Sequence, residues 1–200
     1  MSGADVADPR TGGAGADGAV AGIAARVRAA EPRLGSTRLV VVDGPAGSGK
    51  TTLAGRLGEA LGAPVLHADD LLAGWGDLEG WWDRLDANVL RPLGEGRPGR
   101  YRRYDWLAGA FGEACDVPVT DVLVVEGCGS ARRAADDVAA VRVWVEAPDD
   151  LRLARGLERD GEELRPQWLA WMDAEARHYA VERTRERADV VVDGTRPWAQ

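Results

Sequence analysis

Apolar residues along this chain fall into two patterns. Short runs rich in β-branched residues recur at Arg38-Leu39-Val40-Val41-Val42-Asp43, Ala63-Pro64-Val65-Leu66-His67, Asp121-Val122-Leu123-Val124-Val125, Val141-Arg142-Val143-Trp144-Val145 and Asp189-Val190-Val191-Val192. Compact apolar runs bounded by polar residues are what strands buried on both sheet faces require. Between them lie stretches with helical spacing. Val20, Ile23, Ala24 and Val27 share one face of a helix from Ala19 to about Ala30, and Leu53, Leu57 and Leu61 share one face of a helix over Thr51–Leu61. A long helix from Gln167 to about Arg187 carries Trp168, Trp171, Met172 and Tyr179 on one stripe, interrupted by Glu175; that spacing reads as core packing. Strands alternating with helices predict an α/β fold, a five-stranded parallel sheet flanked by helices and joined by right-handed crossovers.

Composition narrows the picture. The first 18 residues are mostly Gly, Ala and Asp, with little to bury, and read as a disordered tail. Residues 19–200 then suffice for one domain with a sizeable core. A net charge of −8 argues against a sequence-independent nucleic-acid binder. No apolar run reaches membrane-spanning length, and the N-terminus has neither a basic start nor an apolar signal core, so a cytoplasmic location is expected. Cys115 and Cys128 form no metal or redox spacing. Nothing in the composition sets an oligomeric state.

The chemistry begins between the first strand and the helix that follows it. Gly44-Pro45-Ala46-Gly47-Ser48-Gly49-Lys50-Thr51 satisfies the phosphate-loop pattern G-x-x-x-x-G-K-[ST], which makes a P-loop NTPase the expected fold. Lys50 is the only lysine of the chain; every other basic residue is arginine. A compact ammonium reaches between the phosphates of a nucleotide, where a planar guanidinium is too wide. Backbone N–H groups from Gly44 to Thr52 would cradle ATP, Lys50 would contact the transferred phosphate, and the Thr51 hydroxyl would ligate Mg²⁺. The second strand ends in Asp69-Asp70 and the third in Glu126-Gly127, and in open parallel sheets functional residues gather at strand carboxyl ends. The aspartates suit catalysis or a helix N-cap. Glu126 suits support of Mg²⁺. Arg152, Arg155 and Arg159 recur on one face of the helix after the fourth strand, where Arg155 and Arg159 would neutralise charge on a transferring phosphoryl group. With Gly161–Arg165 they would form a short arginine-bearing lid over about 155–166 that excludes water.

Together these residues resemble the uridine kinase family of P-loop small-molecule kinases, from about Arg38 to Gly194. The resemblance rests on Gly44–Thr51, Asp69, Tyr104-Asp105-Trp106, Glu126-Gly127 and Arg152–Asp160. His67-Ala68-Asp69-Asp70-Leu71-Leu72-Ala73-Gly74-Trp75 looks most like the short uridine-kinase-like proteins of high-GC bacteria. The resemblance implies ATP- and Mg²⁺-dependent phosphoryl transfer to a small acceptor, the 5′-hydroxyl of uridine or cytidine. Asp69 would be the general base and would hold Mg²⁺ with Thr51 and Glu126. Tyr104 and Trp106 would line the acceptor pocket, and Arg165 would join the lid arginines. The chain departs from the family at Gly109, where characterised pyrimidine nucleoside kinases carry a histidine against the base. It departs again at Leu71 and Leu72, where aromatics usually follow the aspartate.

The segment over about 74–110 should hold the acceptor. There Trp75, Trp81, Trp82, Tyr101, Tyr104 and Trp106 alternate with Arg97, Arg100, Arg102 and Arg103. Aromatic faces stack on a base or sugar; the arginines suit either a solvated hairpin or an anionic acceptor. Adjacent Trp81 and Trp82 cannot share one helix face, so at least one belongs to the core. Asp83 is the candidate to grip sugar hydroxyls. Two other readings stay open: a kinase of this fold acting on a phosphosugar, vitamin precursor or antibiotic, and a nucleotide-binding regulatory protein without kinase activity.

Overall fold

The computed structural model describes residues 16–196. The tail expected over residues 1–18 lies outside them as far as residue 15, and helix α1 (Ala16–Ala29) starts at Ala16 rather than Ala19. In chain order the strands are β1 (Arg38–Asp43), β2 (Val65–His67), β3 (Gly99–Asp105), β4 (Ala110–Val117), β5 (Val122–Glu126), β6 (Ala139–Glu146) and β7 (Val190–Asp193). After α1 come α2 (Lys50–Leu61), α3 (Trp81–Leu85), α4 (Arg91–Gly94), α5 (Asp149–Asp160), α6 (Arg165–Glu182) and α7 (Thr184–Arg187).

The five expected strands form one parallel sheet in the order β2-β5-β1-β6-β7. Successive side chains of a strand point to opposite faces, so a run such as Leu39–Val42 feeds two cores at once. Leu39 and Val41 pack with Leu123 and Val125 on one face, against Trp81, Leu85, Leu90 and Leu93. Val40, Val42 and Val124 face the other way, against Ile23 and Val27 of α1 and Leu53 and Leu57 of α2. The amphipathic stripe of α1 thus packs beside the helix that follows the phosphate loop.

The stretch between β2 and β5 departs most from the sequence reading. Trp81 and Trp82 are both buried. Their helix continues through a widened turn at Asp86–Leu90 into α4, beside Pro92, which has no N–H to return to Asn88. Strands β3 and β4 then form a separate antiparallel hairpin, so the hairpin arginines belong to a solvated ribbon. The long C-terminal helix stops at Glu182, because Arg183 takes a left-handed φ of 53° and donates its N–H to the Tyr179 carbonyl at 2.8 Å. No helix among the described residues is long and apolar enough to cross a membrane.

Candidate active site

Sheet order brings the chemistry together. β5 lies between β1 and β2, so Glu126 at its end stands beside both the phosphate loop and the Asp69 turn. Register pairs His67 with Glu126, and His67 Nδ1 lies 2.7 Å from Glu126 Oε1. The Thr51 hydroxyl donates to the same oxygen at 3.3 Å. Thr51, Asp69 and Glu126 open into a cavity of about 720 Å³.

The loop is held from behind. Gly47 adopts φ 77°, and a Cβ there would come within 2.5 Å of the Arg152 carbonyl oxygen; the loop approaches α5 closely because this residue has no side chain. Arg152 Nη1 donates to the Ala46 carbonyl at 2.9 Å and to Glu175 Oε1 at 2.6 Å, while Glu175 Oε2 accepts from the Ala46 N–H at 2.8 Å. A buried ion pair thus grips one residue of the loop by both its N–H and its carbonyl. At the loop entrance, buried Asp43 accepts from the N–H groups of Gly44, Gly129 and Ala131 and from the Tyr179 hydroxyl, at 2.7 to 2.8 Å. α2 starts at Lys50 without a side-chain cap, so its first-turn N–H groups have no intrahelical acceptor at the cavity.

Lys50 is buried, with Nζ 3.0 Å from the Pro45 carbonyl and 3.6 Å from Cys128 Sγ. Burial opposes its charge, but the surrounding acidic groups outweigh it and leave Lys50 above its ordinary pKa. Burial pushes the Cys128 thiol up to about 12, so at neutral pH the thiol is uncharged and the carboxylates Glu126, Glu175 and Asp43 support the ammonium. Asp69 is raised above the ordinary carboxylate range, first by its surrounding protein and then by the like charge of Glu126. Solvent reaches Asp69 across the open cavity, which weakens both effects and leaves the upward direction.

The hydrogen bond that the His67 ring donates to the Glu126 carboxylate holds His67 above its ordinary pKa, against partial burial. A histidine whose folded pKa is raised contributes stability that is complete below the unfolded value near 6.5 and lost as pH rises through the folded value. Melting of the metal-free protein should therefore move to lower temperature as pH rises through neutrality, and His67→Gln should flatten that dependence. An unchanged slope in the variant would place its cause elsewhere.

Of the residues singled out from the sequence, Lys50, Thr51, Thr52, Asp69, Glu126, Trp106, Arg155 and Arg159 line this one cavity. Arg155 Nη1 donates to the Gly47 carbonyl at 3.2 Å, and Arg159 lies over the Trp168 ring at 5.8 Å. Asp83, Tyr104 and Arg165 are not among the lining residues. Asp83 points outward because its neighbours Trp81 and Trp82 take the buried faces of α3. Tyr104 packs edge-on behind Trp106 at 5.4 Å, and exposed Arg165 is held by Glu162 at 2.5 Å. Arg152 braces the loop instead of joining the lid.

Sequence reasoning missed Asp43; Trp168 and Trp171, read as core, are buried as expected and in addition border the cavity. For Glu175 a signal existed: an acid interrupting an apolar stripe needs a buried cationic partner. No group of three or more His, Cys, Asp or Glu side chains among the described residues forms a metal cage. The donors at hand are the hydroxyl and carboxylate oxygens of Thr51, Glu126 and Asp69, hard ligands that fit Mg²⁺ completed by phosphate and water.

Residues 40–180 match the family model described as an AAA domain. None of the curated proteins matches the chain. Among solved structures, a possible uridine kinase from Bacillus stearothermophilus superposes with a TM-score of 0.65 at 22% identity, covering 87% of this chain and 97% of that one. A protein provisionally named a fructose transport system kinase, from Silicibacter sp. TM1040, superposes with a TM-score of 0.58 at 22% identity, covering 90% of this chain and 99% of that one. These likenesses establish a P-loop kinase-like fold.

Proposed function

The chain belongs to the AAA domain family, and from that premise we propose that it is an ATP- and Mg²⁺-dependent kinase of a small hydroxyl-bearing acceptor, the 5′-hydroxyl of a pyrimidine nucleoside. One observation carries the reading. The carboxylate of Asp69 shares a single cavity with the phosphate loop, with Glu126 and with two arginines of α5, and an aromatic wall adjoins it. A carboxylate facing the phosphates beside a further open compartment supports transfer to an acceptor over nucleotide binding alone.

In this reading Lys50 and the N-terminus of α2 hold the β- and γ-phosphates of ATP. Asp69 accepts the proton of the acceptor hydroxyl as the oxygen bonds to the γ-phosphorus. The bond from that phosphorus to the bridging oxygen breaks, and ADP leaves with the electron pair. Arg155 and Arg159 balance charge on the transferring group. Thr51, Asp69 and Glu126 would hold Mg²⁺, which when bound neutralises phosphate charge. Leu164, the last residue of the turn Glu162–Leu164, borders the cavity and would help exclude water.

The hairpin arginines speak against an anionic acceptor. Arg100 faces Asp116 at 3.4 Å, Arg103 lies between Asp70 and Glu113, and neither lines the cavity. The test is ADP release with Mg²⁺ and ATP across uridine, cytidine, phosphosugars and pantothenate. Saturable release with uridine or cytidine is the expected result. Release only with a phosphosugar or pantothenate would reassign the acceptor, and ATP binding with no acceptor-stimulated release would favour a regulatory role.

A further inference from the structure

Asp69 and Asp70 are adjacent acids with different surroundings. Both belong to the short helical turn Ala68–Asp70 that follows β2. Asp69 borders the cavity, and Asp70 is not among its lining residues. Among the described residues the Asp69 carboxylate accepts no hydrogen bond. Its aim is therefore set by the backbone that carries it, and that backbone is anchored residue by residue. Ala68 packs against the end of β5 at Gly127, where a Cβ would come within 2.2 Å of it. The Asp69 carbonyl accepts from Trp106 Nε1 at 3.1 Å. Trp106 borders the cavity together with Trp75, Trp168 and Trp171. Asp70 Oδ2 accepts from the Tyr101 hydroxyl at 3.0 Å and faces Arg103 Nε at 3.3 Å. The Leu71 carbonyl accepts from Arg84 Nε at 2.8 Å.

The β3–β4 hairpin supplies three of these anchors, Tyr101, Arg103 and Trp106. They differ in rigidity. Arg103 is half exposed, and an ion pair in solvent contributes little. Tyr101 is buried, and its ring belongs to the same core as Leu71, Leu72 and Trp82. Burial, and then the charge of Asp70, hold the Tyr101 hydroxyl above its ordinary pKa, so it stays a donor at neutral pH. A bond from such a hydroxyl to a carboxylate is charge-assisted. It joins a fixed ring to the residue next to Asp69.

We infer that Asp70 and Tyr101 are positioning residues for phosphoryl transfer: their hydrogen bond fixes the turn that aims the Asp69 carboxylate at the acceptor hydroxyl. This rests on the kinase reading, in which Asp69 is the base. Of the two aspartates, one takes the proton and the other holds the first in place. Proton transfer needs the reacting atoms in near-attack geometry, and a misplacement of about 1 Å costs about 100-fold.

The test is single-turnover transfer from ATP with Mg²⁺ to uridine, or to whichever of cytidine, the phosphosugars and pantothenate is accepted instead. Nucleotide binding and melting temperature are measured for each variant. Tyr101→Phe and Asp70→Ala should each lower the rate at saturating substrates by about 10- to 100-fold, with KM for ATP and for the acceptor little changed. Asp70→Asn keeps an oxygen that accepts from Tyr101, so it should recover most of the loss. Asp70→Ala combined with Tyr101→Phe should be no slower than Asp70→Ala alone, because both remove one bond. Arg100→Ala, on the same hairpin but paired with Asp116, should keep the wild-type rate. Where Asp70→Ala fails to fold, Tyr101→Phe decides the matter, since phenylalanine keeps the buried ring.

A wild-type rate in Tyr101→Phe, with only the melting temperature lowered, would reduce the bond to a structural one and overturn the inference. A raised acceptor KM with the rate intact would overturn it in favour of direct acceptor contact. Asp70→Asn as slow as Asp70→Ala would overturn it in favour of the Asp70 charge. Wild-type protein that binds ATP and transfers to no acceptor would sink the kinase reading, and the positioning role with it.

Discussion

Exchange of Asp69 for asparagine is expected to cut phosphoryl transfer by about 10²- to 10⁴-fold while leaving ATP binding nearly unchanged. Asparagine keeps the shape of the side chain and one oxygen toward the cavity, so packing and the Trp106 bond to the Asp69 carbonyl survive. The change removes the capacity to take a proton and one of the charges proposed to hold Mg²⁺, while Thr51, Glu126 and the nucleotide phosphates remain to bind the ion. The raised pKa of Asp69 makes it a better proton acceptor than an ordinary surface carboxylate, and its place beside Glu126 and Lys50 puts it next to the phosphates. The loss should therefore fall on kcat. Single-turnover transfer and a separate nucleotide-binding titration check this, and full turnover by the variant would remove Asp69 from the role of base.

The second large effect concerns a pair remote from the proton transfer. Glu175→Ala is expected to destabilise the protein by about 3–5 kcal/mol, because it strands the buried Arg152 guanidinium without its buried partner. For a chain of this size that corresponds to a melting temperature lower by roughly 6–20 °C. The same change frees the Ala46 N–H of the phosphate loop, so KM for ATP should rise in whatever fraction remains folded. The double change Arg152→Met with Glu175→Leu separates the two consequences. Replacing both charges with apolar groups of similar size should restore much of the melting temperature. The loop would remain untethered, so KM for ATP should stay high. A double variant with wild-type KM would show that the ion pair serves stability alone.

Glu175 matters further because α6 also carries Trp168 and Trp171. One helix therefore holds the phosphate loop by a carboxylate and borders the same cavity with two indoles, four and seven residues before that carboxylate.

Much of this was legible because it is local. The five parallel strands announce themselves as apolar runs, since a strand covered on both faces has no solvent side to mark with polar residues. The phosphate loop is legible because its job depends on glycines and one lysine at fixed steps, and Asp69 and Glu126 because they end strands of a parallel sheet. Asp83, Tyr104 and Arg165 were harder to place. Whether a residue beside an aromatic run points into a cavity depends on which neighbours the core has already taken, and for Asp83 those neighbours were Trp81 and Trp82. Trp168 and Trp171 are buried as their stripe predicts, and the stripe does not record that they also border the cavity.

The sequence by itself determined the α/β architecture, the anion-binding loop and the acidic groups at the strand ends, because short-range periodicity and strand topology suffice to place them. Only the tertiary structure decided that Arg152 braces the loop while Arg155 and Arg159 face the cavity, that Glu175 closes on Ala46, and that four tryptophans distant in sequence converge beside Asp69. Those outcomes depend on contacts between residues far apart along the chain, where the angle of one helix against another selects the partner and no spacing within either helix records it.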